Sequence, residues 1–429
     1  MKSNKDLISK ARVEVDPKKP FFEKAAKAAL DSLKRVGLQP NFLFLGNSVL
    51  HIASLNAFLL KLSDQGINPC GVVCDNIDLS RKSQFDDIDV FAVERSNLVF
   101  LRNNKDFVFR KKSMIEEAFN SLFPHFPSQT AKNVTQCKSD SQVFFLLLTN
   151  EEYPSLDLWK IASSQGKPIK CVLLEEGVGS YVSQRSTHNF FAKKETLKTK
   201  RTFNLIKEQV VTPIREHYRR VSDRKCDIRK FGLLCTGHKG LIPNDDYCFW
   251  IREALKKQGE IKGLSKRNFS RKVIIVGTNF SELGSTEVES LFIKKITQII
   301  RSCDFVPYFR PHPRTKDQSV YKYLEDIEIS FDNKCPLEAI VSSCDIKPVA
   351  IIGLGSSSQL LSSVLWGIPA LTVSSILEEA AVEKSMCSPV ISAYIERLKL
   401  FDRTFNKWFI PVVDDRDLKR KLMSYKSAN

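Results

Sequence analysis

The sequence predicts an α/β fold made of two Rossmann-like halves with a cleft between them. Short apolar runs alternate with segments of 3.6-residue apolar periodicity, a pattern typical of βαβ units and of a mainly parallel sheet. A chain of 429 residues, 42% of them hydrophobic, is long and apolar enough to bury two cores. A polar, basic stretch at residues 256–271 separates the two series and suits a linker. We therefore predict an N-terminal domain at residues 1–265 and a C-terminal domain at residues 266–429.

The N-terminal half contains six apolar runs of strand length. Residues 20–36 and 49–62 are predicted to be helices, the second because its apolar residues recur with helical periodicity. The predicted strands are residues 41–45, 71–74, 88–93, 98–101, 143–148 and 170–174.

The C-terminal half repeats this alternation, with helices predicted at residues 287–301 and 357–366. Its predicted strands are residues 272–276, 304–309, 327–331, 348–352 and 370–373. Residues 408–411 and 417–425 follow. We interpret this last segment either as a helix that crosses back between the halves or as a basic amphipathic contact with a membrane.

The net charge of +17 predicts an anionic partner. Residues 193–230 hold 13 Lys and Arg against 5 Asp and Glu, so a basic insertion is predicted at about residues 190–230. Nucleic acid is not expected as a partner, because the sequence lacks zinc-finger spacing, a ribonucleoprotein aromatic motif and a basic leucine-zipper pattern. An acidic glycan or an anionic membrane surface fits the charge better.

The sequence favours a cytoplasmic protein. Its longest apolar run, residues 143–148, is far too short to span a bilayer, and the first residues lack the apolar core of a signal peptide. The 11 cysteines are scattered without zinc-ligand spacing, as is usual in a reducing compartment.

A loop rich in arginine and proline follows a predicted strand of the C-terminal half. In this loop His312 lies between Pro311 and Pro313, which are flanked in turn by Arg310 and Arg314. The prolines hold the backbone extended, the arginines supply charge and forked donors, and an imidazole can exchange a proton near neutral pH. The loop is therefore predicted to hold an anion, and a solvated connection is the alternative.

Two other strand ends of the same half carry features that suit an anion. Residues 353–359 form a glycine–serine turn that opens a helix, and Gly277 with Thr278 follows the first strand. Backbone N–H groups at a helix N-terminus, beside serine hydroxyls, can bind a phosphate, and simple helix capping by the serines is the alternative. Glu338 is a candidate to accept hydrogen bonds from ribose hydroxyls, or it only compensates a helix dipole.

Two adjacent carboxylates, Glu175 and Glu176, end a predicted buried strand of the N-terminal half and precede Gly177. Mutual repulsion makes one of the two a better proton acceptor, so one of them could serve as a general base. The alternative is an acidic loop that caps a following helix.

In this order, the acidic pair, the His-Pro motif and a serine pair about 44 residues later resemble the bacterial sialyltransferases of the GT-B fold. Among them, the α-2,8-polysialyltransferase family is the most similar, and the resemblance spans residues 41–373. It implies a GT-B fold, with two Rossmann-like domains facing a central cleft. It also implies inverting, metal-independent transfer of sialic acid from CMP-sialic acid to a glycan hydroxyl, with no cofactor.

The resemblance further implies roles for individual residues. Glu175 corresponds to the base, with Glu176 as the second choice, and His312 corresponds to the acid that assists the departure of CMP. Ser356 and Ser357 correspond to the phosphate binders. The full set expected to bind the nucleotide sugar is Gly277, Thr278, Arg310, Pro313, Glu338, Ser356, Ser357 and Ser358.

Several functions stay open on the sequence alone. The expected acceptor is an acidic glycan or glycolipid, as in a capsule polysaccharide or a lipooligosaccharide, and a peripheral contact with the inner membrane is a further option. A single-addition sialyltransferase and a Kdo transferase of the same fold are alternatives within this class. A non-enzymatic basic protein that binds polyanions is the alternative outside it.

A growing polysialic acid chain carries one carboxylate per sugar and would bind along a basic groove. We therefore expect charge reversal at Arg215, Arg219, Arg220 and Arg224 to weaken the binding of long acidic acceptors more than that of short ones. Affinities for acceptors of increasing length measure this effect. An unchanged dependence on acceptor length would contradict the assignment of the basic insertion to the acceptor.

Overall fold

The structure is a computed structural model. Its described residues are 41–46, 49–75, 90–94, 97–102, 144–148, 169–174, 177–181, 229–237, 240–264, 268–278, 286–312, 321, 324, 327–329, 335–383 and 389–426. All structural features given below lie within these residues.

A six-stranded parallel sheet forms the core of the N-terminal half of the described chain. Its strands are β1 (Phe42–Gly46), β2 (Gly71–Asp75), β3 (Leu98–Arg102), β4 (Phe144–Leu148), β5 (Ile169–Leu174) and β6 (Arg229–Phe231). They lie in the order β3-β2-β1-β4-β5-β6, and each neighbouring pair is parallel. Helix α1 (Val49–Asp64) connects β1 to β2.

A hairpin and a long helix follow this sheet in the chain. Strands β7 (Leu234–Gly237) and β8 (Gly240–Pro243) pair with each other, and one residue, Asn244, separates β8 from helix α2 (Asp245–Ile261). Two acidic residues, Asp245 and Asp246, lie in the first turn of α2, where they complement the positive end of the helix dipole.

A second six-stranded parallel sheet forms the core of the C-terminal half. Its strands are β9 (Lys272–Val276), β10 (Val306–Arg310), β11 (Glu328–Ile329), β12 (Ala350–Gly353), β13 (Ala370–Thr372) and β14 (Phe409–Pro411). They lie in the order β11-β10-β9-β12-β13-β14, again with parallel neighbours throughout. The helices are α3 (Thr286–Ser302), α4 (Leu337–Ser342), α5 (Ser357–Trp366), α6 (Ser374–Glu383), α7 (Pro389–Thr404) and α8 (Asp415–Lys426).

Both sheets have the strand order 3-2-1-4-5-6 when the strands are numbered within each sheet. This is the order of the Rossmann fold, in which the direction of progression along the sheet reverses between the first and the fourth strand. The connections after those two strands leave in opposite directions and open a crevice at the carboxyl edge of the sheet. The prediction of two Rossmann-like halves with mainly parallel sheets is confirmed.

The described chain divides into two compact units. The N-terminal unit contains the described residues up to 174, together with residues 229–235 and 244–254. The C-terminal unit contains residues 177–181, 236–237, 240–243 and the described residues from 255 to 426. Helix α2 thus contributes residues to both units.

Aromatic side chains fill the core of the N-terminal unit. Phe58 of α1 packs edge-on against Phe145 of β4 and Phe231 of β6, with ring centroids 5.6 and 5.4 Å apart. Phe231 packs in the same way against Tyr247 of α2, at 5.0 Å. The Tyr247 hydroxyl is hydrogen-bonded to Ser54 Oγ at 2.8 Å, so the polar end of this buried ring is paired.

The central strands of the C-terminal unit are buried on both faces. Val273, Ile274 and Ile275 of β9 have no exposed surface, as expected for a middle strand that helices cover on both sides. Helix α3 packs against α6 and α8. A run of apolar residues, rather than an alternating pattern, is therefore the correct sequence signal for this strand.

The strand predicted at residues 88–93 is wrong where the structure describes it, because residues 90–94 form no strand. Asn56 Oδ1 accepts hydrogen bonds from the N–H groups of Phe91, at 3.1 Å, and Ala92, at 3.3 Å. These bonds occupy the donors that a sheet ladder would need.

The linker predicted at residues 256–271 is also wrong in its first part, because α2 continues to Ile261. Exposed Lys256 and Lys257 alternate there with buried Leu255 and Gln258, which is the pattern of a solvated helix face.

The last helix, for which we considered a return to the N-terminal half, contacts α3 of its own unit and the two residues that follow α3. Cys303 Sγ donates to the Lys419 carbonyl at 3.8 Å, and Lys426 Nζ donates to Asp304 Oδ2 at 2.7 Å. The preceding segment supplies β14 at the edge of the second sheet. Of the helices that the structure describes, none combines the length and apolar character needed to cross a membrane.

Glu289 of α3 is a buried carboxyl, with 3% of its surface exposed. It accepts a hydrogen bond from the Tyr321 hydroxyl at 3.0 Å, and the Tyr321 ring packs edge-on against Phe309 of β10 at 5.0 Å. Burial raises the pKa of Glu289 to about 7, and the bond from Tyr321 opposes this shift. Glu289 and Tyr321 therefore lie beside β10, and the raised pKa means that Glu289 keeps its proton up to about neutral pH.

Between about pH 4.5 and 7, folded protein holds a proton on Glu289 that unfolded protein releases, so stability falls as the pH rises. We expect Glu289→Gln, which keeps an acceptor for Tyr321, to remove about 3 kcal/mol of this pH dependence. Chemical denaturation at pH 5 and pH 8 measures the free energy of unfolding. Glu253→Gln, on an exposed face of α2, is the control. Equal pH slopes for the wild type and Glu289→Gln would contradict this role.

Candidate active site

The predicted site residues of the C-terminal half lie at the carboxyl edge of the second sheet. Strands β9 and β12, between which the strand order reverses, end at Val276 and Gly353. Strand β10, which pairs with β9 on its other side, ends at Arg310. Ligands of doubly wound sheets bind at this edge. The sheet therefore brings to one edge three motifs that the sequence separates by tens of residues.

Gly277 and the His-Pro loop are in direct backbone contact. The Gly277 N–H donates to the Arg310 carbonyl at 2.8 Å. A Cβ atom at Gly277 would lie 2.9 Å from the backbone nitrogen of His312, which is too close for any other residue. Thr278 and His312 are both half-buried and follow directly on this contact. The absence of a side chain at Gly277 thus allows the segments after β9 and β10, which carry Thr278 and His312, to lie in contact.

The start of helix α5 is held by a complete capping box. Ser356 Oγ accepts from the Gln359 N–H at 3.2 Å, and Gln359 Oε1 accepts from the Ser356 N–H at 3.0 Å. Gly355, with φ +67°, makes the turn that leads into the cap. Capping therefore accounts for Ser356, whereas Ser357 and Ser358 are in the first turn, where backbone N–H groups have no intrahelical acceptor. Such N–H groups can receive an anion.

Gln359 is a site residue that the sequence reasoning missed. Its side chain is fully buried, and its amide nitrogen donates to the Leu371 carbonyl of β13 at 2.9 Å. A Cβ atom at Gly353 would lie 2.7 Å from Gln359 Oε1, so a side chain there would push the Gln359 amide away from the Ser356 N–H. The spacing of Ser356 and Gln359 is the sequence signature of a capping box and could have revealed this role.

Ser357 and Ser358 contact two different parts of the C-terminal unit. Ser357 Oγ accepts from the Val178 N–H at 3.1 Å, and the Ser358 hydroxyl is hydrogen-bonded to the Glu338 carboxyl of α4. The contact with Val178 was not predicted, because no local pattern links residues 179 positions apart.

Glu338 and Arg310 form a buried electrostatic pair beside α5. Glu338 is 5% exposed and Arg310 is 4% exposed. Burial raises the pKa of Glu338, and the bond from Ser358 and the charge of Arg310 oppose the shift. The Arg310 guanidinium also donates to the Cys335 carbonyl at 2.6 Å. Arg310 therefore fixes the segment that leads into α4, where Glu338 lies in the first turn.

These contacts connect the carboxyl ends of β9, β10 and β12 with one another and with the start of α5. Gly353 approaches the Val276 carbonyl so closely that a Cβ atom would lie 3.3 Å from it, and Gly277 follows Val276. The Gly277 N–H is bonded to the Arg310 carbonyl at the end of β10. The Arg310 side chain interacts electrostatically with Glu338, and the Glu338 carboxyl is hydrogen-bonded to the Ser358 hydroxyl of α5.

Residues 177–181 also belong to the C-terminal unit. Gly177 is buried with φ +105°, and residues Val178–Tyr181 form a single 3₁₀ turn. The Tyr181 ring packs edge-on against Phe405, with centroids 6.1 Å apart. Together with the bond from Val178 to Ser357, this contact attaches both ends of the turn to the unit that carries α5.

Seven of the predicted site residues lie outside the described residues. They are Glu175, Glu176, Pro313, Arg215, Arg219, Arg220 and Arg224. Their roles, and the binding roles of the other site residues, stay predictions.

Comparison with protein families identifies the chain. The model of the alpha-2,8-polysialyltransferase (POLYST) family matches residues 43–375. The chain belongs to the alpha-2,8-polysialyltransferase family. Members of this family are sialyltransferases, so the chain is a glycosyltransferase. Family membership and the two Rossmann-like sheets confirm the predicted GT-B fold class.

Solved structures similar to this family member include two sialyltransferases. The α/β-galactoside α-2,3-sialyltransferase of Photobacterium phosphoreum is 14% identical, with a TM-score of 0.41, and the match covers 79% of this chain and 95% of that one. The 2,6-sialyltransferase of Photobacterium sp. JT-ISH-224, in a ternary complex with CMP and lactose, is 11% identical, with a TM-score of 0.46 and coverage of 87% and 78%.

A UDP-N-acetylglucosamine 2-epimerase from Rickettsia bellii is 14% identical, with a TM-score of 0.41 and coverage of 90% of this chain and 95% of that one. TM-scores this low support no functional assignment. A search of curated proteins finds no match.

The close approach at Gly277 predicts a specific loss of stability on substitution. We expect Gly277→Ala to lower the free energy of unfolding by about 2–3 kcal/mol, because the added Cβ must displace the backbone of His312. Gly263→Ala is the control: Gly263 has φ +65° with open space around it, so only backbone strain of about 1 kcal/mol is expected there. Chemical denaturation measures both. If Gly277→Ala is no less stable than Gly263→Ala, the contact is not the constraint inferred here.

Proposed function

We propose that this protein transfers sialic acid from CMP-sialic acid to a hydroxyl of a glycan acceptor, with inversion at the sugar carbon and without a metal ion. The observation that carries the proposal is the edge of the second sheet, where the start of α5, the end of β10 and Gly277 come together. Membership of the alpha-2,8-polysialyltransferase family supports the choice of donor and of an α-2,8 linkage.

The start of α5 suits the phosphate of the donor. The N–H groups of Ser357 and Ser358 are first-turn donors, and the helix dipole places partial positive charge at the same point. The Ser357 hydroxyl adds a further donor, whereas the Ser358 hydroxyl donates to the Glu338 carboxyl. The negative charge that develops on a departing CMP phosphate would be stabilised by these groups, which the fold already orients.

His312 is the proposed acid at the leaving group. It is half-buried, follows directly after β10, and its backbone nitrogen is fixed against Gly277. An imidazole can donate a proton or a charged hydrogen bond to the phosphate oxygen as the bond to the sugar breaks. Thr278 and Pro313 complete the proposed surroundings of the nucleotide, and Glu338, which Ser358 orients, is the proposed ribose contact.

Glu175 is the proposed general base. A glycan hydroxyl attacks only as its proton leaves, which requires a carboxylate or a similar acceptor. In the proposed step the acceptor oxygen forms a bond to the sugar carbon, its proton passes to Glu175, and the bond from that carbon to the CMP oxygen breaks. This single displacement inverts the configuration at the carbon. Glu175 is three residues before Val178, which is hydrogen-bonded to Ser357.

The proposed acceptor is an acidic glycan or glycolipid that already carries sialic acid, as in a capsule polysaccharide or a lipooligosaccharide. The net charge of +17 supports this choice, because each added sialic acid contributes a carboxylate. The same charge supports peripheral contact with an anionic inner-membrane surface.

Transfer from CMP-sialic acid to a sialylated oligosaccharide, followed by analysis of product length, tests the proposal. A ladder of products indicates a polymerase, and one added residue indicates a single-addition enzyme. Transfer from CMP-Kdo but not from CMP-sialic acid would show that the protein is a Kdo transferase, the alternative within this class. If none of these donors supports transfer, the proposed function is wrong.

Substitution of the proposed acid and base should separate chemistry from binding. We expect Glu175→Gln and His312→Ala each to lower kcat by about 100-fold or more, because each removes a proton-transfer group, with a smaller change in donor affinity. Glu176→Gln is the matched control and should retain most activity. Initial rates and CMP binding measure the two effects. If Glu176→Gln lowers kcat more than Glu175→Gln does, Glu176 is the base instead of Glu175. Full activity in both Glu175→Gln and His312→Ala would refute the mechanism.

A further inference from the structure

The Ser357 hydroxyl has two potential hydrogen-bond partners, the Val178 N–H and the phosphate of the proposed donor. Its Oγ accepts a hydrogen bond from the Val178 N–H at 3.1 Å, and it is the first residue of α5, where the proposed donor phosphate binds. Both atoms of this bond belong to the C-terminal unit. A serine hydroxyl can accept one hydrogen bond while it donates another, so the two partners do not compete for the same site on the oxygen.

The bond from Val178 determines what the hydroxyl can do with its proton. The N–H occupies one lone pair of Oγ, so the hydroxyl proton must point away from Val178. A hydroxyl that accepts a hydrogen bond is also polarised and becomes a better donor. The reverse holds equally: an anion that accepts the Ser357 proton makes Oγ a better acceptor for the Val178 N–H.

The segment that carries Val178 is attached to the same support as the turn before α5. Tyr181, at the other end of the segment, packs on Phe405, which packs edge-on against Phe401 at 6.2 Å. Phe401 also supports the turn at Gly355, where a Cβ atom would lie 3.1 Å from its ring. One aromatic cluster therefore holds both the Val178 segment and the entry to α5.

We propose that Ser357 is a positioning residue that couples occupancy of the phosphate site to the placement of residues 177–181. This inference rests on the proposed function, because it takes the phosphate of CMP as the ligand of α5. The coupling is reciprocal: CMP orders the Val178 segment, and an ordered Val178 segment tightens the binding of CMP.

Hydrogen exchange at the Val178 amide tests the bond without any need for activity. Exchange in Ser357→Ala should be about three- to tenfold faster than in the wild type, as expected for the loss of one hydrogen bond. Ser357→Thr, which keeps the hydroxyl, should restore the protection. Addition of CMP should slow exchange further in the wild type and leave Ser357→Ala unchanged. Equal exchange in wild type and Ser357→Ala would overturn the inference.

A substitution on the other side of the bond tests the coupling. Val178→Pro removes the N–H at the first position of a 3₁₀ turn, where the fixed φ of proline is tolerated, and Gly177 before it has no side chain to clash. Val178→Ala is the matched reference, because it loses side-chain volume and keeps the N–H. CMP should bind Val178→Pro about three- to tenfold more weakly than Val178→Ala.

The same comparison in the Ser357→Ala background completes a double-mutant cycle. The difference between Val178→Pro and Val178→Ala should disappear there, since the acceptor is gone. A difference that persists, or equal CMP affinity of the two variants with Ser357 present, would overturn the coupling. Measurement of sialic acid transfer by the wild type distinguishes the two proposals. If transfer occurs but the two Val178 variants bind CMP equally, only the coupling is refuted. If the wild type neither transfers sialic acid nor binds CMP, the proposed function is refuted.

Discussion

The close approach of Gly277 to the end of β10 is the constraint on which the candidate active site depends. Two parallel strands deliver their following residues to the same edge, but ordinary side chains would keep those residues apart. Without a Cβ at position 277, the backbone of His312 can lie against it, and the Gly277 N–H is paired with the Arg310 carbonyl at 2.8 Å. The backbone of His312 is therefore held at the sheet edge by its packing against Gly277.

Two buried ionisable side chains of this unit, Arg310 and Glu338, hold the backbone around α4. Arg310 and Glu338 are almost fully buried, and each contacts the segment around α4 through a hydrogen bond or an electrostatic interaction. Removing either side chain would leave buried polar groups without one of their partners, which is costly in a protein interior. The half-buried Ser357 and Ser358 at the start of α5 are suited to an incoming anion.

Sequence reasoning located the strand ends well and the contacts between them poorly. The predicted strand at residues 272–276 and helix at 357–366 agree with β9 and α5, because a fully apolar strand and a serine-capped helix have strong local signals. The strand predicted at residues 88–93 failed because the Asn56 side chain takes backbone donors that a ladder would use. The bond from Val178 to Ser357 could not be predicted, since it depends on tertiary packing and not on local pattern.

The capping box of α5 has a consequence for the thermodynamics of ligand binding. Gln359 is fully buried, and its amide bonds to the Ser356 N–H and to the Leu371 carbonyl, so the end of the helix is formed before any ligand arrives. The conformational entropy of this turn is lost during folding, and little remains to be lost when an anion binds. Affinity at such a site depends mainly on the quality of the polar contacts.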